Sequence, residues 1–388
     1  MDTEKNGVDS AGTGPDPDTT GTLDEALERL HLSGPEREGW LSNHAPMAVE
    51  ALVRHGHARA VHRWVDRYRT KLEDMPGQDL PVTGANWQEA LGDPRRLGDW
   101  SGFFTLQMAE RPWREILAEW WPRLLPGISG AATHPVIRTG HAVRTLLSEG
   151  GETAPRRTEL AHALGYWAAR HSALPGVTRL PAAASAEAGL VAVPLIDDQS
   201  GGIRDRLARI SALPDRPAAP GRSVPAASGA SGEATSTARN EAASGAGGEA
   251  APERVRAALE DVVRASAHRY ATHAHGSPVM LVHTATAPNA VLRVLPALPR
   301  PLWAAGADAA WAASAAVWAV YGPADGTPAA SAAGHAPEEV FARAAAHGDE
   351  HAIKLADTVL DVAVRTPGGD PLALAASLRS VELIEPVF

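Results

Sequence analysis

The run Asp349-Glu350-His351-Ala352-Ile353-Lys354 places an imidazole and an amine three positions apart. On a helix, that spacing puts both on one face. Three further histidines sit in suggestive local contexts: His44 in Asn43-His44-Ala45-Pro46, His134 in Thr133-His134-Pro135-Val136, and His283 in Val282-His283-Thr284-Ala285. All-α proteins build metal centres from side chains that project inward from several helices. On spacing alone, these four histidines are candidates for one shared site, and simple capping or surface roles remain open for each. A lysine beside converging imidazoles fits only if its amine is neutralised or chemically modified, because an ammonium group has no lone pair to offer a metal.

Other polar residues have plainer readings. His141 lies seven positions after His134 and shares its helix face, and Arg138, one turn after His134, can pair either a substrate oxygen or a carboxylate. His347 and His351 have the spacing of a metal-binding pair, but Gly348 stands where the zincin motif requires Glu. His347 therefore reads as the last residue of one helix, and Asp349 and Glu350 as the acids that open the next. Eleven Trp against four Phe point to core packing, or to flat aromatic walls for a planar ligand.

Several chemistries are excluded. With no Cys there are no disulfides, thiolate metal sites or Cys nucleophiles, so any metal must be held by His, Asp or Glu. No G-x-S-x-G elbow, P-loop or strand-borne G-x-G-x-x-G occurs. A net charge of −10 over 388 residues, with no basic run, argues against nucleic acid or an anionic membrane as partner. No apolar stretch approaches the roughly 20 residues of a membrane helix, and Met1 to Gly21 lacks the apolar core of a signal peptide. The expected location is the cytoplasm.

The elements that must position these residues read as helices almost throughout. Asn43 can cap a helix carrying Met47, Ala51 and Leu52 that Gly56 ends; Thr133 can cap one that opens with His134-Pro135 and runs to about Ser148. Gly348 suits a helix C-terminus and Asp349 the next N-cap, which puts His351 and Lys354 in first turns. Further helices are expected over 22–30, 61–68, 112–121, 156–171, 254–270, 286–296, 303–320 and 336–347, with Val279–Val282 the one strand candidate. Residues 1–21 read as a disordered tail. Residues 216–252, almost wholly Ala, Gly, Ser, Pro, Thr and Glu, read as a disordered insertion, because such a composition cannot offset its ordering entropy. The fold class is mainly α: a bundle-like single catalytic domain whose halves, 22–215 and 253–388, flank the insertion.

Four strings, taken in order, resemble the questin oxidase-like family: Asn43-His44-Ala45-Pro46-Met47-Ala48, His134-Pro135-Val136-Ile137-Arg138-Thr139-Gly140-His141-Ala142, Val282-His283-Thr284-Ala285-Thr286-Ala287, and His347 through Leu355. The resemblance runs from about residue 22 to 388. It implies oxidative ring opening of a polyketide anthraquinone or related planar aromatic, by a Baeyer–Villiger-type step or by C–C cleavage. It implies non-haem Fe(II), O2 as co-substrate and NADPH as a candidate reductant. Carried over residue by residue, the ligands would be His44, His134, His283, His351 and Lys354, the last as a carboxylated lysine. His141, where some members carry Tyr, and Arg138 would lie behind them or face the substrate. Burial beside imidazoles lowers a lysine's pKa, and the neutral amine can add carbon dioxide to become an anionic oxygen ligand. Two other functions fit the same residues. A hydrolase built on a carbamylated lysine would turn over without oxygen, and a non-enzymatic helical binding module would carry almost no metal.

Overall fold

The computed structural model describes residues 19–148, 150–218 and 238–387. It is mainly α, as expected. Among the described residues the strands form two small pairs, Glu36–Arg37 antiparallel to Leu41–Ser42 and Thr178–Leu180 parallel to Ala212–Pro214. The strand expected at Val279–Val282 is instead a helical turn, Pro278–Leu281. A short apolar run does not distinguish a buried strand from a buried helix, whereas Pro278 at the first position favours the helix. The helix after it therefore begins at His283, three residues earlier than its periodicity suggested.

Four helices organise the interior: Ala45–Arg54, His134–Leu146, His283–Val294 and Glu350–Arg365. Each is buried over most of its length. The start of each is fixed locally, by different means. Asn43 accepts a hydrogen bond from Ala45 N at 3.0 Å and donates one to Gly34 O at 3.0 Å, although His44 itself occupies the cap position. Gly348 adopts the left-handed conformation (φ 80°) that ends the preceding helix, and Asp349 Oδ1 accepts from His351 N and Ala352 N at 2.8 and 3.1 Å.

Thr133 departs from its expected capping role. It is itself left-handed (φ 68°), as are Ala131 (φ 44°) and Ala132 (φ 53°), and its side chain makes no capping bond. A capping side chain needs an extended backbone, which this turn does not provide. The His134 and His283 helices cross closely at Gly140, where a Cβ would come within 2.6 Å of Ala290 Cα.

Around these helices lie two apolar cores rich in Ala, Leu and Trp. Trp100, Trp120, Trp121, Trp167, Trp311 and Trp318 are fully buried, so the tryptophans serve mainly as packing. The helix Ala238–His273 starts inside the segment read as an insertion, and residues 219–237 lie outside the described residues. At the N-terminus, residues 1–18 lie outside them too, and the first helix is Thr19–Leu30. Among the described residues no helix is long and apolar enough to cross a membrane.

Candidate metal centre

His44 immediately precedes its helix, His134 and His283 are the first residues of theirs, and His351 is the second. The four helices therefore bring their starting ends together, and the imidazoles meet there. His44 Nε2 lies 2.7 Å from His134 Nε2, which lies 2.9 Å from His283 Nε2. The His351 ring centroid is 4.6 Å from that of His44 and 5.9 Å from that of His283. All four histidines are buried.

For three of the rings the far side favours one protonation state, whereas His351 Nδ1 is buried without a hydrogen-bond partner. His134 Nδ1 donates to Ala131 O at 2.6 Å, and His283 Nδ1 donates to Met280 O at 2.9 Å. His44 Nδ1 faces the Glu350 carboxylate and the Tyr68 hydroxyl at 3.5 and 3.4 Å. With their protons held on Nδ1, the Nε2 atoms present lone pairs to one another, and no hydrogen bond can join two lone pairs. Protonation would relieve the clash, but burial holds His44, His134 and His283 well below the usual histidine pKa. The Lys354 charge and the neighbouring imidazoles add to that depression. A cation among the nitrogens is the remaining way to satisfy them, and neutral imidazoles suit a divalent first-row metal.

Lys354 is fully buried, and its Nζ has no hydrogen-bond partner. Burial lowers its pKa to about 8, against the opposing pull of Glu350 and Asp349. A dry amine poised near neutrality has the reactivity that carbon dioxide addition needs. Glu350 Oε2 is also buried without a partner, while Oε1 accepts a long 3.5 Å hydrogen bond from Tyr68. Burial, reinforced by Glu350, raises the Tyr68 pKa and keeps the phenol protonated. Glu350 and Tyr68 thus orient His44 from behind, in the arrangement that supports metal-bound histidines. In the sequence, Glu350 reads only as an acid at a helix start. Its spacing of four from Lys354 was the available signal.

The other two expected residues lie elsewhere. Arg138 makes a buried bidentate pair with Glu159, at 2.6 and 2.8 Å, and so takes the carboxylate option. His141 lies two turns below His134 in a separate polar layer. There it pairs with Glu50 at 2.7 Å, while Arg144 bridges Glu50 and Asp357 and Arg293 reaches Asp357 at 2.6 Å. His347 ends its helix and bonds Ile384 O at 3.0 Å, apart from the cluster.

Fold and site together define a helical protein with a buried, histidine-rich centre able to hold a metal ion. The chain belongs to the questin oxidase-like family, whose model matches residues 41–359. That span contains all four histidines and Lys354, and membership supports an oxidoreductase role. No curated protein matches the chain.

Proposed function

We propose that this protein is a non-haem iron oxygenase that opens a ring of a polyketide anthraquinone or a related planar aromatic. His44, His134, His283 and His351 would hold the metal together with Lys354 as its carboxylated form. The observation that carries this reading is the meeting of three Nε2 lone pairs beside an unpartnered, buried lysine amine. Iron(II), when bound, supplies the one-electron chemistry by which O2 reacts with an aromatic ring. The chain's own part is to position and to exclude water. The Ala131 and Met280 carbonyls hold two rings in the ligating tautomer, Glu350 and Tyr68 orient a third, and the burial of Lys354 keeps its amine available for modification.

The test is iron binding and turnover with a planar anthraquinone in wild type and Lys354→Ala. The variant should bind iron at least about 100-fold more weakly, beyond the roughly 10- to 100-fold lost with supporting residues, with acetate, a small carboxylate, restoring part of the loss. Unchanged iron affinity removes Lys354 from the site. Turnover without oxygen overturns the oxygenase reading in favour of a hydrolase. NADPH consumption divides the remaining routes: one equivalent per ring opened marks Baeyer–Villiger-type oxidation, and none marks C–C cleavage.

A further inference from the structure

One roomy cavity of the described structure lies away from the histidines. It encloses about 940 Å3, and no member of the His44–His134–His283–His351–Lys354 cluster lines it. Cavities of several hundred Å3 are the usual size for small-molecule sites. Its floor is formed by the opposite ends of the same four helices. Arg54, Arg144, Arg293 and Asp361 line it, each ten residues after the cluster histidine of its own helix. At 1.5 Å per residue, the cavity floor is about 15 Å from the histidine layer.

The arginines of this cavity differ in how they are balanced. Arg144 and Arg293 are engaged by Glu50, Asp357 and Asp361. Arg365 is not balanced in that way. Its Nε donates to the backbone carbonyl of Asp361 and its Nη2 to Asn289 Oδ1, both at 2.8 Å. No carboxylate lies within ion-pair distance of it among the described residues. Burial lowers its pKa, and the nearby Arg293 and Arg256 lower it further against Asp361 and Glu260. Arg256, exposed on the same wall, reaches Glu260 at 3.1 Å. Trp303, Leu360 and Leu374 also line it. A half-buried guanidinium with no carboxylate in direct contact is poorly compensated, and an anion in the cavity would supply that contact.

We propose that this cavity binds a second small molecule, a flat aromatic ring carrying a fixed negative charge, with the acid group on Arg365 and Arg256 and the ring against the apolar wall that includes Trp303. The site is independent of the metal reading. At about 15 Å from the histidines, its ligand is a different molecule from one transformed there.

The test titrates the full-length protein with the fluorescent probe 8-anilino-1-naphthalenesulfonate and, in parallel, with its uncharged relative N-phenyl-1-naphthylamine. Arg365→Gln should weaken the sulfonate about tenfold, the value of one charge-assisted contact, and leave the neutral probe within about twofold. Arg256→Gln, at an exposed position, should weaken the sulfonate by a smaller factor, and it decides the matter if Arg365→Gln does not fold. Equal sulfonate affinity in wild type and the deciding variant overturns the proposal, as does a parallel loss of both probes.

Discussion

The same four helices carry two buried polar layers, and the layers solve opposite problems. At the helix starts, His44, His134 and His283 turn lone pairs toward each other beside the unpartnered Lys354 amine. Two turns on, Glu50, His141 and Asp357 are just as close together and just as buried, but Arg144 and Arg293 supply opposite charge and every carboxylate is engaged. Proximity of histidines and acids is therefore a poor guide to a metal site. The informative difference is whether the protein itself satisfies the donors. The first layer leaves its donors open, and the second closes them.

The sharpest way to break this contrast is to remove one partner from the closed layer. Asp357→Asn removes the carboxylate that Arg144 and Arg293 share, leaving Glu50 with the first and Asp361 with the second, and breaking a buried ion pair costs up to about 3–5 kcal/mol. Chemical denaturation should show that loss, while iron bound per folded chain stays within about twofold. A fall in iron content in the folded variant would merge the two layers into one site. His134→Ala should do the converse, weakening iron binding by at least about 100-fold, judged against the smaller losses known for supporting residues. Its stability should change less than that of Asp357→Asn. A His134→Ala protein that keeps its iron would refute the open layer as the metal centre.

Acid distinguishes the layers further. Arg144 and His141 outweigh the burial of Glu50 and hold its pKa at about 2, against 4.5 for an ordinary glutamate. A depressed carboxylate adds stability above its unfolded value and loses it as pH falls toward the folded one. Melting temperature should thus drop between pH 4.5 and 2, and less steeply in Glu50→Gln; identical slopes would mean that Glu50 is not paired. The smallest effect is expected where the chain enters the open layer. Ala131, Ala132 and Thr133 are all left-handed, a conformation that disfavours residues with a Cβ. Ala131→Gly should stabilise by about 0.5–1 kcal/mol and weaken iron binding only a few-fold, as His134 gains freedom. A destabilised Ala131→Gly would show that this turn carries no strain.

Much of this was legible in the sequence because local chemistry wrote it there. Gly348 and Asp349 end one helix and open the next as their residue types require, and this placed His351 and Lys354 in a first turn. The histidines were identifiable as candidates from their contexts, but their convergence depends on how four helices pack across some 300 positions of chain, which no local pattern records. Arg138 shows the limit: one turn from His134 in sequence, it points to Glu159 on another helix. The strand expected at Val279–Val282 failed for a similar reason, since a buried apolar run looks the same in either conformation. The cavity at the far helix ends left one faint trace, a charged residue ten positions after each cluster histidine, which carries no meaning until the four helices are seen to share their starting ends.

The meeting of four helix starts has a consequence for how the centre assembles. Each helix N-terminus carries about half a positive charge from its aligned peptide dipoles, and an unmodified Lys354 adds a full one. The Glu350 and Asp349 carboxylates beside the cluster offset that positive charge only in part while the lysine stays an ammonium. On the proposed chemistry, carbon dioxide addition turns the lysine into an anion that those same dipoles stabilise. That addition would precede entry of the metal and make the point favourable to a cation.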